Sequence, residues 1–106
     1  MKHVKLVVFV PVSHADEMRK VLGEAGAGRI GNYSFCSFSS RGTGRFLPND
    51  QANPAIGEAG IFEAVEEERI ETIVARDILA DVVTKMKAAH PYEEVAYDII
   101  PLEDMD

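Results

Sequence analysis

His90-Pro91-Tyr92-Glu93-Glu94-Val95-Ala96-Tyr97-Asp98-Ile99-Ile100-Pro101-Leu102 lies near the end of the chain, and its reading decides the fold. Proline disfavours helical geometry in the residue before it, so the helix leading into this stretch must finish at about His90. From Val95 the residues alternate as a strand. Val95, Tyr97 and Ile99 share one face, and Ala96, Asp98 and Ile100 the other. The preceding helix is equally legible. Leu79, Val82, Val83 and Met86 fall at i, i+3, i+4 and i+7 and make one apolar stripe. Asp77 suits the positive start of that helix, and Lys85 and Lys87 its negative end. Before it, Glu63 to Ala75 reads as a strand. Ile70, Thr72 and Val74 lie on one face, Arg69, Glu71 and Ile73 on the other, and Glu66-Glu67-Glu68 forms a solvated start.

The first half repeats this plan. Lys5 to Val12 is a strand apolar on both faces, Leu6, Val8 and Val10 opposing Val7 and Phe9, which places it centrally and covered on both sides. Ser13-His14-Ala15-Asp16 has capping-box spacing and opens a helix whose stripe is Met18, Val21, Leu22 and Ala25. Gly26 ends it as a left-handed cap. Gly26-Ala27-Gly28-Arg29-Ile30-Gly31 matches G-x-G-x-x-G, but the dinucleotide motif follows a strand and opens a helix. This stretch follows a helix, so it reads as turns and close packing. Tyr33 to Ser40 is the expected second strand, Arg41 to Arg45 a glycine-rich bend, and Phe46 the start of a return strand. Pro48 to Gly60 is rich in Pro, Asn, Asp and Gly and reads as a long loop, a length that is usually functional or mobile.

The order β-α-β-β-α-β defines an α+β, ferredoxin-like sandwich. Right-handed crossovers put both helices on one face of an antiparallel sheet. The other face has no cover within the chain, yet the central strand is apolar on both sides. The expectation is an exposed apolar patch, Val7 and Phe9 included, that a second subunit covers.

The 106 residues form one expected domain, 1–106, large enough for its own core. A net charge of −7 without a basic cluster argues against nucleic acid. The single cysteine, Cys36, excludes an internal disulfide and a four-cysteine zinc site, and favours a reduced, cytoplasmic setting. Met1 to Val12 has the outline of a signal peptide, but its apolar run is short, contains Pro11 and passes directly into a helix. No apolar run approaches the roughly 20 residues of a membrane span.

The chain resembles the PII-like domain inserted in the Nif-three-like family of dinuclear-metal proteins, which includes GTP cyclohydrolase type-two homologs. The resemblance rests on Lys5 to Pro11, on Gly26-Ala27-Gly28 with Ile30-Gly31-Asn32-Tyr33, and on Cys36-Ser37-Phe38-Ser39. It continues through Gly42-Thr43-Gly44 with Phe46 and Pro48, Asn53-Pro54 with Ile56-Gly57, Glu68 to Glu71, and His-Pro-Tyr-Glu-Glu at 90–94. His-Pro-Tyr-Glu alone is similar to the CutA family. Both resemblances imply a small PII/CutA-like domain that forms trimers and senses a small molecule in its subunit clefts. The family's two-metal site lies in flanking halves that this chain does not contain, so none of those ligands carries over.

Three chemistries follow from the residues. Arg29, Arg41 and Arg45 lie in or beside glycine-rich turns whose N–H groups suit a phosphate or carboxylate, and a trimer could bring them to a neighbour's His90-Tyr92-Glu93 corner. With Asn32 these make the expected ligand site: Arg29, Asn32, Arg41, Arg45, His90, Tyr92 and Glu93. His90 and Glu93 are the alternative, a divalent-metal pair in the CutA manner, although their spacing matches no strong metal motif. No nucleophile with a base is visible. Cys36 sits in the expected strand as a packed apolar residue, and Glu93 and Glu94 point to opposite faces of an extended chain. The reading is a non-catalytic, homo-oligomeric binding or regulatory module with no resident cofactor. Service as an accessory to a Nif-three-like dinuclear-metal hydrolase is a further alternative.

Overall fold

A strand that is apolar on both faces belongs in the interior of a sheet, and the first strand is found there. The computed structural model describes residues 2–105; Met1 and Asp106, the ends of the expected domain, lie outside the described residues. The elements are β1 (His3–Pro11), α1 (Ala15–Glu24), β2 (Phe38–Phe46), β3 (Glu63–Ala75), α2 (Leu79–Ala89) and β4 (Tyr97–Pro101). The sheet has the order β2-β3-β1-β4 with every neighbouring pair antiparallel. This is the expected ferredoxin-like arrangement.

Val4, Leu6, Val8 and Val10 of β1 join Ile70 and Val74 of β3 beneath Met18 and Leu22 of α1 and Val82 and Met86 of α2. Fully burying each such side chain contributes about 2 kcal/mol. Val95 and Tyr97 pack at the margin of this core, as their alternation requires. At the end of α1, Gly26 takes φ +105°. The Ala27 N–H reaches Leu22 O at 3.0 Å and the Gly26 N–H reaches Gly23 O at 3.1 Å, so two terminal carbonyls are satisfied.

The start of α1 departs from the expected capping box. A 3-10 turn, Val12–His14, intervenes, and no side chain caps the helix. The Ser13 hydroxyl is paired instead with His14 Nδ1 at 2.9 Å.

The second strand also differs. The structure places it at Phe38–Phe46, through the expected bend, while Tyr33 makes only an isolated bridge with Ile30. The reason is tertiary. The thirteen-residue β3 offers a ladder partner to every residue from Phe38 to Phe46, and Gly42 and Gly44 take no left-handed conformation there. Where β2 stops, other backbone takes over. The Gly28 N–H bonds Ile73 O at 2.7 Å, and the Cys36 N–H bonds Gly28 O at 2.9 Å. Cys36 is therefore half-buried just outside β2, not inside it. The last strand starts at Tyr97 rather than Val95, although the Phe9 N–H already bonds Ala96 O at 3.1 Å.

The face away from the helices is less apolar than expected. Val7 is 0% exposed although it stands outside the core cluster. Its register partner Glu71 is held by Arg69 at 2.6 Å and by Lys5 at 3.9 Å, so charged side chains roof this part of the face. Exposed apolar residues remain on this face at Phe38, in register with Glu71, and at Ile100, opposite Lys5, while Tyr33 and Phe62 are exposed outside the strands. Residues 63–66 of β3 pair with β2 alone, so the β2–β3 hairpin runs past β1 and the molecule measures 50 × 22 × 21 Å.

Candidate functional site

The projecting hairpin, the open sheet face and the corner between α2 and β4 enclose a cleft of about 900 Å³. Strand alternation and register put Phe9, Gly42, Gly44, Glu67 and Arg69 on its floor. The 47–56 segment forms one wall, and Tyr92, Glu93, Glu94 and Ala96 the other.

His90 fixes the second wall. It is 7% exposed, and Nε2 lies 2.8 Å from Phe9 O. The Tyr92 N–H donates to Nδ1 at 3.1 Å. An acceptor at Nδ1 requires the proton on Nε2, so the neutral imidazole donates to the carbonyl and accepts from the amide at once. Burial pushes the His90 pKa below its usual value, against the opposing effects of the Phe9 carbonyl and the Glu67 charge. The extended backbone that Pro91 imposes on His90 carries Tyr92 out over the sheet.

Tyr92 packs edge-on to Phe46 with centroids 5.9 Å apart, and its hydroxyl donates to Glu67 Oε2 at 3.1 Å. Burial first, then the charge and hydrogen bond of Glu67 and the charge of Glu63, push the Tyr92 pKa up to about 12. The Glu67 carboxylate lies where a side chain on Gly44 would be. Glu93 Oε1 accepts the Asn53 N–H at 2.7 Å and so ties down the 47–56 wall, while the Gly60 N–H bonds Pro48 O at 2.8 Å and closes the loop's base.

The expected site residues therefore separate. Tyr92 and Glu93 line the one cleft, whereas Arg41 and Arg45 border it from β2 positions that alternate with Gly42 and Gly44 and so face the other side of the sheet. His90 is buried beneath Tyr92 with ring centroids 5.2 Å apart. Arg29 lines a smaller pocket of about 280 Å³ with His3 and Asp77, at the opposite end of β1. Asn32 is exposed in the Ile30–Tyr33 turn and lines neither. Phe9, Gly42, Phe46, Glu67 and Arg69 complete the cleft without having been expected there. The alternation that sets Arg69 and Glu71 apart from Ile70 and Thr72 was the available signal; what lay over that face was not.

His90 and Glu93 do not fit a metal ion as arranged. Both imidazole nitrogens are engaged within the chain, and Glu93 holds a backbone amide. Among the described residues no three His, Cys, Asp or Glu side chains gather in a metal-binding group.

The fold defines the class first: an α+β domain with the CutA-like fold. The periplasmic divalent cation tolerance protein CutA from Archaeoglobus fulgidus superposes with a TM-score of 0.70 over 97% of this chain and 86% of its own, at 21% identity, a likeness of fold alone. Sequence carries the relationship further. A Bacillus cereus protein related to NIF3 superposes with a TM-score of 0.83 at 55% identity, over 97% of this chain and 26% of its own. The GTP cyclohydrolase 1 type 2 homologs of Halalkalibacterium halodurans and Bacillus subtilis are 57% and 52% identical, over 92% and 93% of this chain and 26% of each relative. The chain corresponds to a domain of these Nif-three-like proteins and spans about a quarter of their length. No protein-family model matches it.

Proposed function

We propose that this chain is a non-catalytic, homo-oligomeric binding or regulatory module that takes a small anionic ligand in the cleft. The observation that carries this reading is Arg69 on the cleft floor with Tyr92 and Glu93 in the wall of the same cavity. Arg69 gives one nitrogen to Glu71, whereas Glu67 and Glu93 are already hydrogen-bonded to the cleft's own walls. A guanidinium with uncommitted N–H groups beside an apolar cavity favours a carboxylate or phosphate. β2 and β4 are both edge strands, and edge pairing or face packing between copies would protect them. The resemblance to CutA and PII-like domains supports a trimer. The free thiol of Cys36 favours a cytoplasmic setting. No helix among the described residues is long and apolar enough to cross a membrane.

Calorimetry with inorganic phosphate and small carboxylates tests the reading. Binding weakened by Arg69→Ala supports it, and no heat with any anion removes it. The metal alternative has less support because His90 is spent structurally. The accessory alternative draws on a different observation. The Leu102 N–H bonds His3 O at 3.2 Å, so the start of β1 and the end of β4 lie side by side, a placement that suits docking of this edge on a partner protein. A pull-down against a Nif-three-like protein from the same cell tests it, and failure to capture that protein counts against it.

A further inference from the structure

Gly42 is a glycine without a reason inside the chain. Its backbone is ordinary strand, it is not among the residues with positive φ, and no heavy atom lies within 4 Å of where its Cβ would stand. A glycine in a strand interior weakens the strand and commonly marks a place where something else approaches the backbone closely. Gly44, two residues on, has an internal explanation, because the Glu67 carboxylate fills its side-chain space. The space over Gly42 is left open on the cleft floor.

The surroundings describe what fits. Phe9, Phe46 and Tyr92 line the same cleft. Phe46 and Tyr92 already stand edge-to-face at 5.9 Å, which leaves ring faces and edges for a third ring. Arg69 stands on the floor diagonal to Gly42, with Nη1 on Glu71 and its remaining N–H groups uncommitted among the described residues. Glu67, directly opposite Gly42, is held by Tyr92, and Glu93 by Asn53, so both nearby carboxylates have donors of their own.

We propose that the cleft takes a flat aromatic ring laid on the backbone at Gly42, with the ligand's anionic group turned to Arg69. This rests on the anion-binding reading above and adds the ring to it. A saturated ring of the same size is thicker, gains nothing from the quadrupoles of Phe46 and Tyr92, and fits the strip over Gly42 less well.

The test titrates the full chain with benzenesulfonate, cyclohexanesulfonate and inorganic phosphate, on the parent protein and on Gly42→Val, following backbone amide shifts. Valine suits a strand and meets nothing at this position, so the variant is expected to fold, with thermal unfolding as the check and Gly42→Ala as the milder second variant. The expected result is benzenesulfonate binding roughly tenfold tighter than cyclohexanesulfonate, and a loss of about that factor in both variants. Equal binding of the two sulfonates, or a preference that survives Gly42→Val, would overturn the ring site and leave anion binding standing. No response to any of the three anions would overturn both.

Discussion

The Tyr92 hydroxyl donates to the Glu67 carboxylate across 3.1 Å, joining the α2–β4 corner to the middle of β3. The two residues are 25 positions apart. Glu67 is 8% exposed, and its carboxylate also occupies the side-chain space of Gly44. Tyr92→Phe removes the donor and leaves a largely buried carboxylate with one partner fewer. The expected cost is about 1–3 kcal/mol in urea unfolding. A change within about 0.5 kcal/mol, the usual range for surface substitutions, would show that the bond does not hold the cleft together.

Burial of the same tyrosine, with the Glu67 charge and bond beside it, sets the alkaline limit. Tyr92 stays neutral in the folded protein up to about pH 12, whereas an unfolded tyrosine ionises near 10. Its contribution is present below about pH 10 and is lost as pH rises from there towards 12. Tyr92→Phe should flatten the stability profile in that window.

His90 governs the acid side. Its folded pKa lies below the ordinary value, so the unfolded chain takes up the proton first. Stability is full above about pH 6.5 and declines as pH falls below it. The cause is the burial of the ring, and a protonated Nδ1 would also face the Tyr92 N–H donor-to-donor. His90→Gln should lower stability at pH 7.5 and reduce the slope below pH 6.5. An unchanged slope would place the acid sensitivity elsewhere.

Gly23 offers a packing test. In an exposed helix Gly→Ala normally stabilises by about 1 kcal/mol. Here the Phe35 ring lies where the alanine methyl would go, and Phe35 is held at φ +61°. Gly23→Ala should therefore destabilise, while the double change with Phe35→Ala should recover the helix benefit. A double-mutant cycle in thermal unfolding reads the coupling, and additive effects would deny the contact.

Glu93 is predicted to act locally. Glu93→Ala should speed hydrogen exchange at the Asn53 amide, leave the Gly60 amide protected by Pro48 O, and change global stability by less than about 0.5 kcal/mol. Equal loss of protection at both amides would mean that the loop opens as one unit.

The elements that were legible in the sequence are those whose periodicity reports burial by one neighbour. The stripe Leu79, Val82, Val83 and Met86, the two-faced β1, and the break at His90-Pro91 led to the topology and the helix-covered face. The second strand was misplaced because Gly42 and Gly44 carry no strand signal of their own, and β3 imposes the ladder on them. Val7 was misread as exposed because Lys5, Arg69 and Glu71 meet only after the register is set, whereas Phe38 and Ile100 do stand exposed on that face. Half of the site followed from local sequence, since Tyr92 and Glu93 adjoin a proline that aims them. The other half, Phe9, Gly42 and Arg69, is assembled from three strands, and no spacing along the chain announces it.

The central claim is that the cleft belongs to an oligomer and holds a small anion. Native mass spectrometry of protein purified gently and without chelator tests both parts together. A trimer carrying the extra mass of a small anionic molecule is expected, with that mass lost in Arg69→Ala. A bare monomer, unchanged on addition of anions, would contradict it.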